Sequence, residues 1–147
     1  MTLEKYKQKR EFSKTSEPKG EVKRINLSRF VVQKHQARNL HYDFRLEMKG
    51  VLKSWAVPKG VPEEKGIKRL AVQVEDHPVG YINFSGTIPE GEYGAGTVEI
   101  WDKGKWEIVE GSLGVGSFKF NLAGKKLKGQ YVLVRFRDKK NWLIYKL

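Results

Sequence analysis

From Arg29 to the C-terminus the chain alternates apolar and polar residues in short runs punctuated by glycine, with few stretches of helical 3.6-residue spacing. The alternation predicts strands near 29–35, 40–48, 51–57, 69–76, 80–85, 96–102, 105–110, 116–121, 130–137 and 141–146. Lys49-Gly50, Asp102-Lys103-Gly104 and Lys128-Gly129 supply turn chemistry between several of them. So many short strands predict a mainly β domain, a closed or partly open antiparallel β-barrel of about eight to ten strands. Helix is expected in one or two short pieces, within 3–12 and around 122–127. Residues 1–147 read as a single domain, with an N-terminal arm at 1–28 and the barrel at 29–147. Segment 13–28 is polar and contains Pro18 and Gly20, so composition alone makes it a flexible lead-in.

Charge adds a partner. Lys and Arg number 29 against 17 Asp and Glu, a net charge of +12, which points to a polyanion. Its distribution is uneven: acids outnumber bases 10 to 5 over residues 61–110, whereas bases outnumber acids 9 to 1 over 111–147. An acidic middle flanked by basic ends suggests a charged face rather than a uniform coat. The absence of cysteine excludes a disulfide scaffold, a zinc-thiolate ribbon and an iron-sulfur cluster, so any metal must sit on His, Asp, Glu or backbone oxygen. No run approaches the roughly 18 apolar residues of a membrane helix, and the N-terminus has no signal-peptide pattern; a soluble, cytoplasmic protein with no membrane partner is expected.

The chemistry concentrates in Leu40-His41-Tyr42-Asp43-Phe44-Arg45-Leu46-Glu47-Met48, where strict alternation puts His41, Asp43, Arg45 and Glu47 on one face. Gln33 and His35 share a face of the preceding strand, and the linker 36–39 is short enough for a hairpin that brings His35 near His41 and Asp43. Two imidazoles and a carboxylate suit manganese, iron or zinc and leave positions open for water and substrate. The bland alternative is a solvated sheet face that alternates for solubility. Arg45 is placed to stabilise phosphoryl oxygens, or else to form a cross-strand ion pair with Glu47 or another acid. His77 is expected in a turn, with Tyr81 near it. The run Pro89-Glu90-Gly91-Glu92-Tyr93-Gly94-Ala95-Gly96 lacks the Lys-Ser/Thr ending of a phosphate loop and reads as a turn with positive φ angles. Trp55, Trp101, Trp106 and Trp142 fall in predicted strands and read as core.

The run from Phe30 through His35, Leu40-His41-Tyr42-Asp43-Phe44-Arg45-Leu46-Glu47, Ser54-Trp55-Ala56-Val57-Pro58-Lys59-Gly60, Glu75-Asp76-His77-Pro78, Gly80-Tyr81 and Gly86-Thr87-Ile88-Pro89-Glu90-Gly91-Glu92-Tyr93-Gly94 resembles the 3′-phosphoesterase domain of bacterial DNA ligase D. The likeness extends back into the arm at Arg10, Glu11, Thr15 and Glu17-Pro18. It implies a small β-barrel that heals DNA 3′ ends, removing a terminal ribonucleoside and then the 3′-phosphate. It also implies a divalent metal, typically manganese, with zinc or cobalt as alternatives, held by His35, His41 and Asp43. Arg45 becomes the phosphate-binding arginine, and His77, Tyr81, Gln33, Lys59 and Arg69 further active-site positions, the last two as phosphate contacts. Arg10, Glu11 and Glu17 become functional positions of an arm that packs toward the site, which replaces the flexible-leader reading. Glu11 stands where the family usually has Asp.

The implied partner is a DNA primer-template or duplex 3′ end, with a separate ligase and repair polymerase completing the repair. Nothing resembles the polymerase or ligase parts of ligase D, so a free-standing enzyme is expected. Competing readings are a DNA-binding barrel without catalysis and an iron oxygenase using the same two-His-one-carboxylate set.

Overall fold

The computed structural model describes residues 3–20 and 27–147. Its elements are a helix α1 (Glu4–Gln8), strands β1 (Arg29–Gln36), β2 (Leu40–Met48), β3 (Val51–Val57) and β4 (Lys68–Pro78), a 3-10 turn (Val79–Asn83), and strands β5 (Gly86–Ile88), β6 (Gly96–Ser112), β7 (Ser117–Ala123), β8 (Lys128–Arg135) and β9 (Asn141–Lys146). The expected antiparallel barrel is present and closed. The sheet runs β1-β2-β3-β4-β9-β8-β7-β6, and β6 then pairs with β1; β5 is an additional strand on the flank of β6.

Closure depends on the length of β6. The sequence predicts two strands here, broken before Gly104, but the structure has one of 17 residues. Its first part pairs with β1 and β5, its second with β7, and Gly104 sits where a Cβ would strike the Ala123 carbonyl. Glycine here allows close approach of two backbones rather than a turn. Between β2 and β3 the predicted turn is as expected: Lys49 (φ 51°) and Gly50 (φ 82°) form a two-residue hairpin loop whose positive φ values match the strand twist.

Other expectations fail for local reasons. The helix around 122–127 does not form, because the amides of Lys125, Lys126 and Leu127 donate to the Asp102 carboxylate at 2.8–3.1 Å instead of to helical carbonyls. The strand at 80–85 is the 3-10 turn, in which the adjacent Tyr81 and Ile82 are both buried. A strand with one solvated face would have exposed one of them. β4 continues to Pro78, so His77 lies on a strand, opposite Leu52, rather than in a turn. The short β5 carries too little pattern to be read from sequence.

The barrel interior is filled by alternate residues of every strand of the ring, led by Trp55, Trp142, Phe44, Phe118, Phe120 and Tyr131. Trp55 and Trp142 meet edge to face with centroids 5.8 Å apart, and each such ring removed from water contributes roughly 1.5–3 kcal/mol. Trp106 belongs to the same cluster, while Trp101 is half-buried against Tyr42. A second, smaller cluster lies outside the wall: Tyr6, Val31, Leu52, Tyr81, Ile82 and Ile88 cover the outer face of β1, β2 and β3. Consequently both faces of β1 and β2 are buried over 30–33 and 43–47, and much of the polar side of their alternation lies under a second layer. No helix among the described residues is long and apolar enough to cross a membrane.

Candidate active site

The β1–β2 register fixes the site. His35 stands opposite His41, and Gln33 opposite Asp43. One nitrogen of each imidazole and a carboxylate oxygen of Asp43 all lie within 4.8 Å of one another. Asp43 Oδ2 is 3.4 Å from His35 Nδ1, and its Oδ1 is 3.2 Å from His41 Nε2. His35 and Asp43 are 8% and 7% exposed, so this is no solvated sheet face. Opposite Asp43 and Arg45 on β3 stand Ala56 and Ser54, small enough to leave space beside the charged groups.

The second nitrogen of each ring sets its tautomer. His35 Nε2 lies 2.7 Å from the Gly94 carbonyl and His41 Nδ1 3.1 Å from the Asn39 carbonyl. A carbonyl only accepts, so both of these nitrogens carry protons, and the nitrogens facing Asp43 are left to bind a proton or a metal. Outer-sphere carbonyls of this kind orient imidazole ligands in metal sites. The Asp43 hydrogen bond outweighs desolvation and raises the pKa of His41. Asp43 is held well below the usual carboxylate range: burial alone would raise it, but Arg45 and the two imidazoles prevail.

Arg45 is not paired with Glu47, which is taken by Arg29 at 2.8 Å. Instead Arg45 Nε donates to Gln33 Oε1 (2.7 Å), Nη2 approaches Asp43 Oδ2 (3.5 Å), and the guanidinium lies 4.8 Å from the Tyr81 ring centroid. Its Nη1 is buried with no hydrogen-bond partner among the described residues. Gln33 in turn donates to the carbonyls of Tyr81 and Phe84, tying the strand to the covering layer.

That layer brings the arm to the cavity. Glu17, 4% exposed, accepts from Arg10 Nε (2.9 Å), Tyr81 Oη (2.6 Å) and Thr15 Oγ1 (3.0 Å). Tyr6 lies beneath this network, its hydroxyl bound to the Pro18 carbonyl and its ring 4.0 Å from the Arg10 guanidinium. Arg10 Nη2 donates to His77 Nε2 at 3.4 Å, while His77 Nδ1 donates to the Glu75 carbonyl. Desolvation, then Arg45 and Arg10, push the His77 pKa well below its usual value, so the ring is neutral at pH 7. Burial, aided by Glu17 and opposed by Arg45, pushes the Tyr81 phenol far up. A register shift of β3 against β4 between Leu52 and Ser54 places an extra residue on β4. It breaks the alternation there, so that Val74, Glu75 and His77 all line one cavity of about 340 Å3 with the His/His/Asp group.

Of the residues singled out from sequence, the structure gathers His35, His41, Asp43, Arg45, His77, Tyr81, Arg10 and Glu17 around that cavity. Gln33 supports it from behind. Glu11 lies outside, exposed and paired with Lys14 at 3.2 Å. Lys59 and Arg69 are also outside the lining, and the Arg69 guanidinium is engaged by the Lys59 and Gly60 carbonyls. Glu75, Tyr93 and the Gly94 carbonyl were not singled out. The glycine-rich run was the available signal: Gly91 and Gly94 adopt φ of 88° and 78°, as its turn reading requires. The arm residues 1, 2 and 21–26 lie outside the described residues.

Within the cavity three carboxylates, Glu17, Asp43 and Glu75, face two guanidiniums, Arg10 and Arg45. Such a set favours a cation beside Asp43, and a divalent cation there would turn the local balance toward an anionic substrate. The donors present, with no thiolate, fit manganese, zinc, cobalt or iron. A Cβ at position 94 would sit at an ordinary 3.5 Å from His35, so Gly94→Ala acts through φ, at about 1–2 kcal/mol, by turning the carbonyl away. We expect metal affinity to fall roughly 10- to 100-fold by titration, and Gly94→Asn, which tolerates this φ, to retain most of it. Wild-type affinity in the Ala variant would refute a role for this carbonyl.

The family model described as DNA ligase D 3′-phosphoesterase domain matches residues 33–135. The multifunctional non-homologous end joining protein LigD of Pseudomonas aeruginosa is 49% identical over 153 residues, covering 98% of this chain and 18% of the relative. Its namesakes in Mycobacterium bovis and Mycolicibacterium smegmatis are each 44% identical, covering 99% of this chain and 20% of their own length. The chain thus spans about a fifth of the curated relatives it matches. The matched stretch begins at Gln33 and takes in every cavity side chain except those of the arm, and the chain belongs to the DNA ligase D 3′-phosphoesterase domain family.

Proposed function

We propose that this chain is a divalent-metal-dependent phosphoesterase that heals DNA 3′ ends. It hydrolyses the diester of a 3′-terminal ribonucleoside to leave a 3′-phosphate, then hydrolyses that monoester to leave a hydroxyl. The observation that carries this reading is the convergence of the His35/His41/Asp43 group and the Arg45 guanidinium on one cavity. A phosphoryl group there meets a cation site and a guanidinium together.

In this reading His35, His41 and Asp43 hold the metal, manganese first, with zinc or cobalt as alternatives. Bound there, it supplies Lewis-acid polarisation of a non-bridging phosphate oxygen. Arg45, fixed by Gln33, donates to an equatorial oxygen and meets the charge that develops in the transition state. His77 rests neutral with Nδ1–H committed to the Glu75 carbonyl, and its Nε2 accepts from Arg10 Nη2, so its role is to hold that guanidinium toward the reacting phosphate. Tyr81 stays protonated and donates to Glu17, which excludes it as a phenolate nucleophile. Glu17 positions Arg10 toward the same space, while Lys59 and Arg69, outside the cavity lining, are left to contact phosphate away from the reacting group. The product hydroxyl is what a repair polymerase or ligase requires, in the cytoplasm where bacterial DNA lies.

The test is an end-labelled primer-template with one 3′-terminal ribonucleotide. We expect a 3′-phosphate and then a 3′-hydroxyl product with manganese, and neither with a chelator. Salt-sensitive DNA binding without product would favour the non-catalytic barrel, and oxygen uptake with Fe(II) the oxygenase.

The raised pKa of His41 sets a pH dependence. Metal binding must displace a proton from this ring, so apparent affinity is full above the raised value and falls as pH drops through it. Manganese titrations should weaken roughly tenfold per unit of pH on the acid side. A flat profile from pH ~8 to ~6 would remove His41 from the ligand set.

A further inference from the structure

The cavity has room for the reacting 3′ end, so the upstream phosphates of a DNA strand must be held by its surroundings. A second groove of about 340 Å3 adjoins the cavity and shares Val74, Glu75 and Tyr93 with it. Four lysines from two separate parts of the chain line this groove: Lys5 of α1 and Lys9 just after it, and Lys139 and Lys140 of the turn between β8 and β9.

Its charge is largely uncommitted. Glu75, the one carboxylate in its lining, is already held by Lys9 at 2.9 Å. Lys5, Lys139 and Lys140 have no ion pair or side-chain hydrogen bond among the described residues. The turn is nevertheless fixed: Asp138 accepts the amides of Lys140 and Asn141, and the Gln73 amide donates to the Lys140 carbonyl at 2.7 Å. Gln73 precedes Val74 and Glu75 on β4, so the strand that lines the cavity also anchors the lysines.

We infer that this groove is a track for the sugar-phosphate backbone of the DNA strand whose 3′ end lies in the cavity, with Lys5, Lys139 and Lys140 contacting successive upstream phosphates. The inference rests on the phosphoesterase reading and assigns where its substrate docks. Lysines on long stems are point charges that follow phosphates without reading bases, which suits an enzyme that must accept any end sequence.

The test compares Lys5→Gln/Lys139→Gln/Lys140→Gln with Lys103→Gln/Lys119→Gln/Lys128→Gln, which removes the same charge elsewhere. A fluorescent primer-template is titrated by anisotropy over a range of salt. Each lost duplex phosphate contact lowers the slope of log affinity against log salt by about 0.9. The groove variant should therefore lose about 2 to 3 from the slope, while the control keeps the wild-type slope. Equal slopes in the two variants would overturn the track in favour of bulk charge. Polyglutamate at matched charge that binds the wild type more tightly than DNA does, and loses that advantage on the groove variant while DNA affinity is unchanged, would assign the groove to an acidic polypeptide and also overturn it. Product formation by the wild type is scored separately. A groove-dependent slope without product sinks the phosphoesterase reading and leaves the groove as a DNA site, whereas product with a groove-independent slope does the reverse.

Discussion

An Asp43→Asn protein is expected to lose both manganese binding and product formation, the latter by about 1,000-fold or more. The figure corresponds to about 4 kcal/mol of charge stabilisation at the phosphoryl group, within what a bound metal supplies. Asparagine preserves the shape opposite Ala56, so the barrel should still close. What changes is charge: the buried Arg45 keeps only neutral Gln33 as a strong partner, and a charge stranded in this way costs about 3–5 kcal/mol. The sign of the pH effect follows from the depressed pKa of Asp43. Its stabilising contribution is complete above the ordinary value near 3.8 and is lost as pH falls below it toward the folded value. The variant should therefore be less stable at neutral pH and show a flatter loss of stability on the acid side. Full activity of Asp43→Asn with added manganese would remove the metal site from the mechanism.

Glu17→Gln should cost about 100- to 1,000-fold in activity, the usual loss for a misplaced donor to a developing charge, while barely moving the thermal midpoint. Glu17 joins Arg10, Thr15 and Tyr81 in one buried network, yet none of these belongs to the aromatic cluster inside the barrel. When the network fails, the arm can leave, and the free-energy penalty is capped at the cost of that local opening. Hydrogen exchange should rise over residues 3–20 and stay unchanged in β7, β8 and β9. A variant that retains both activity and protection in the arm would show that Glu17 does not hold Arg10 in place.

The strict alternation of 40–48 made the chemistry legible, because a strand with period two can only put His41, Asp43 and Arg45 together. The hairpin with His35 followed from linker length alone. What alternation could not reveal is the cover. A polar arm with proline and glycine looks like a leader until Tyr6 and Glu17 find buried partners far away in sequence, and only the resemblance pointed there. The extra residue of β4 at 75–76 was equally invisible, since a bulge is a property of two strands. Asp102 shows the same limit: its carboxylate converts a helix-like stretch 23–25 residues away into a loop. That the Lys59 and Gly60 carbonyls hold Nη1 of Arg69 is likewise nothing a sequence shows.

The closed ring of eight strands has one more consequence, for aggregation. Among the described residues, the added strand β5 is three residues long, and the remaining edges are stretches where a long strand outruns one partner, β6 beyond Lys105 on its β1 side and β4 beyond Val72 on its β9 side. Broken edges of this kind offer little template for a second chain to add a strand. With like charges repelling neighbouring copies as well, the protein should remain monodisperse at high concentration and low salt, and self-association should appear only when the barrel itself opens.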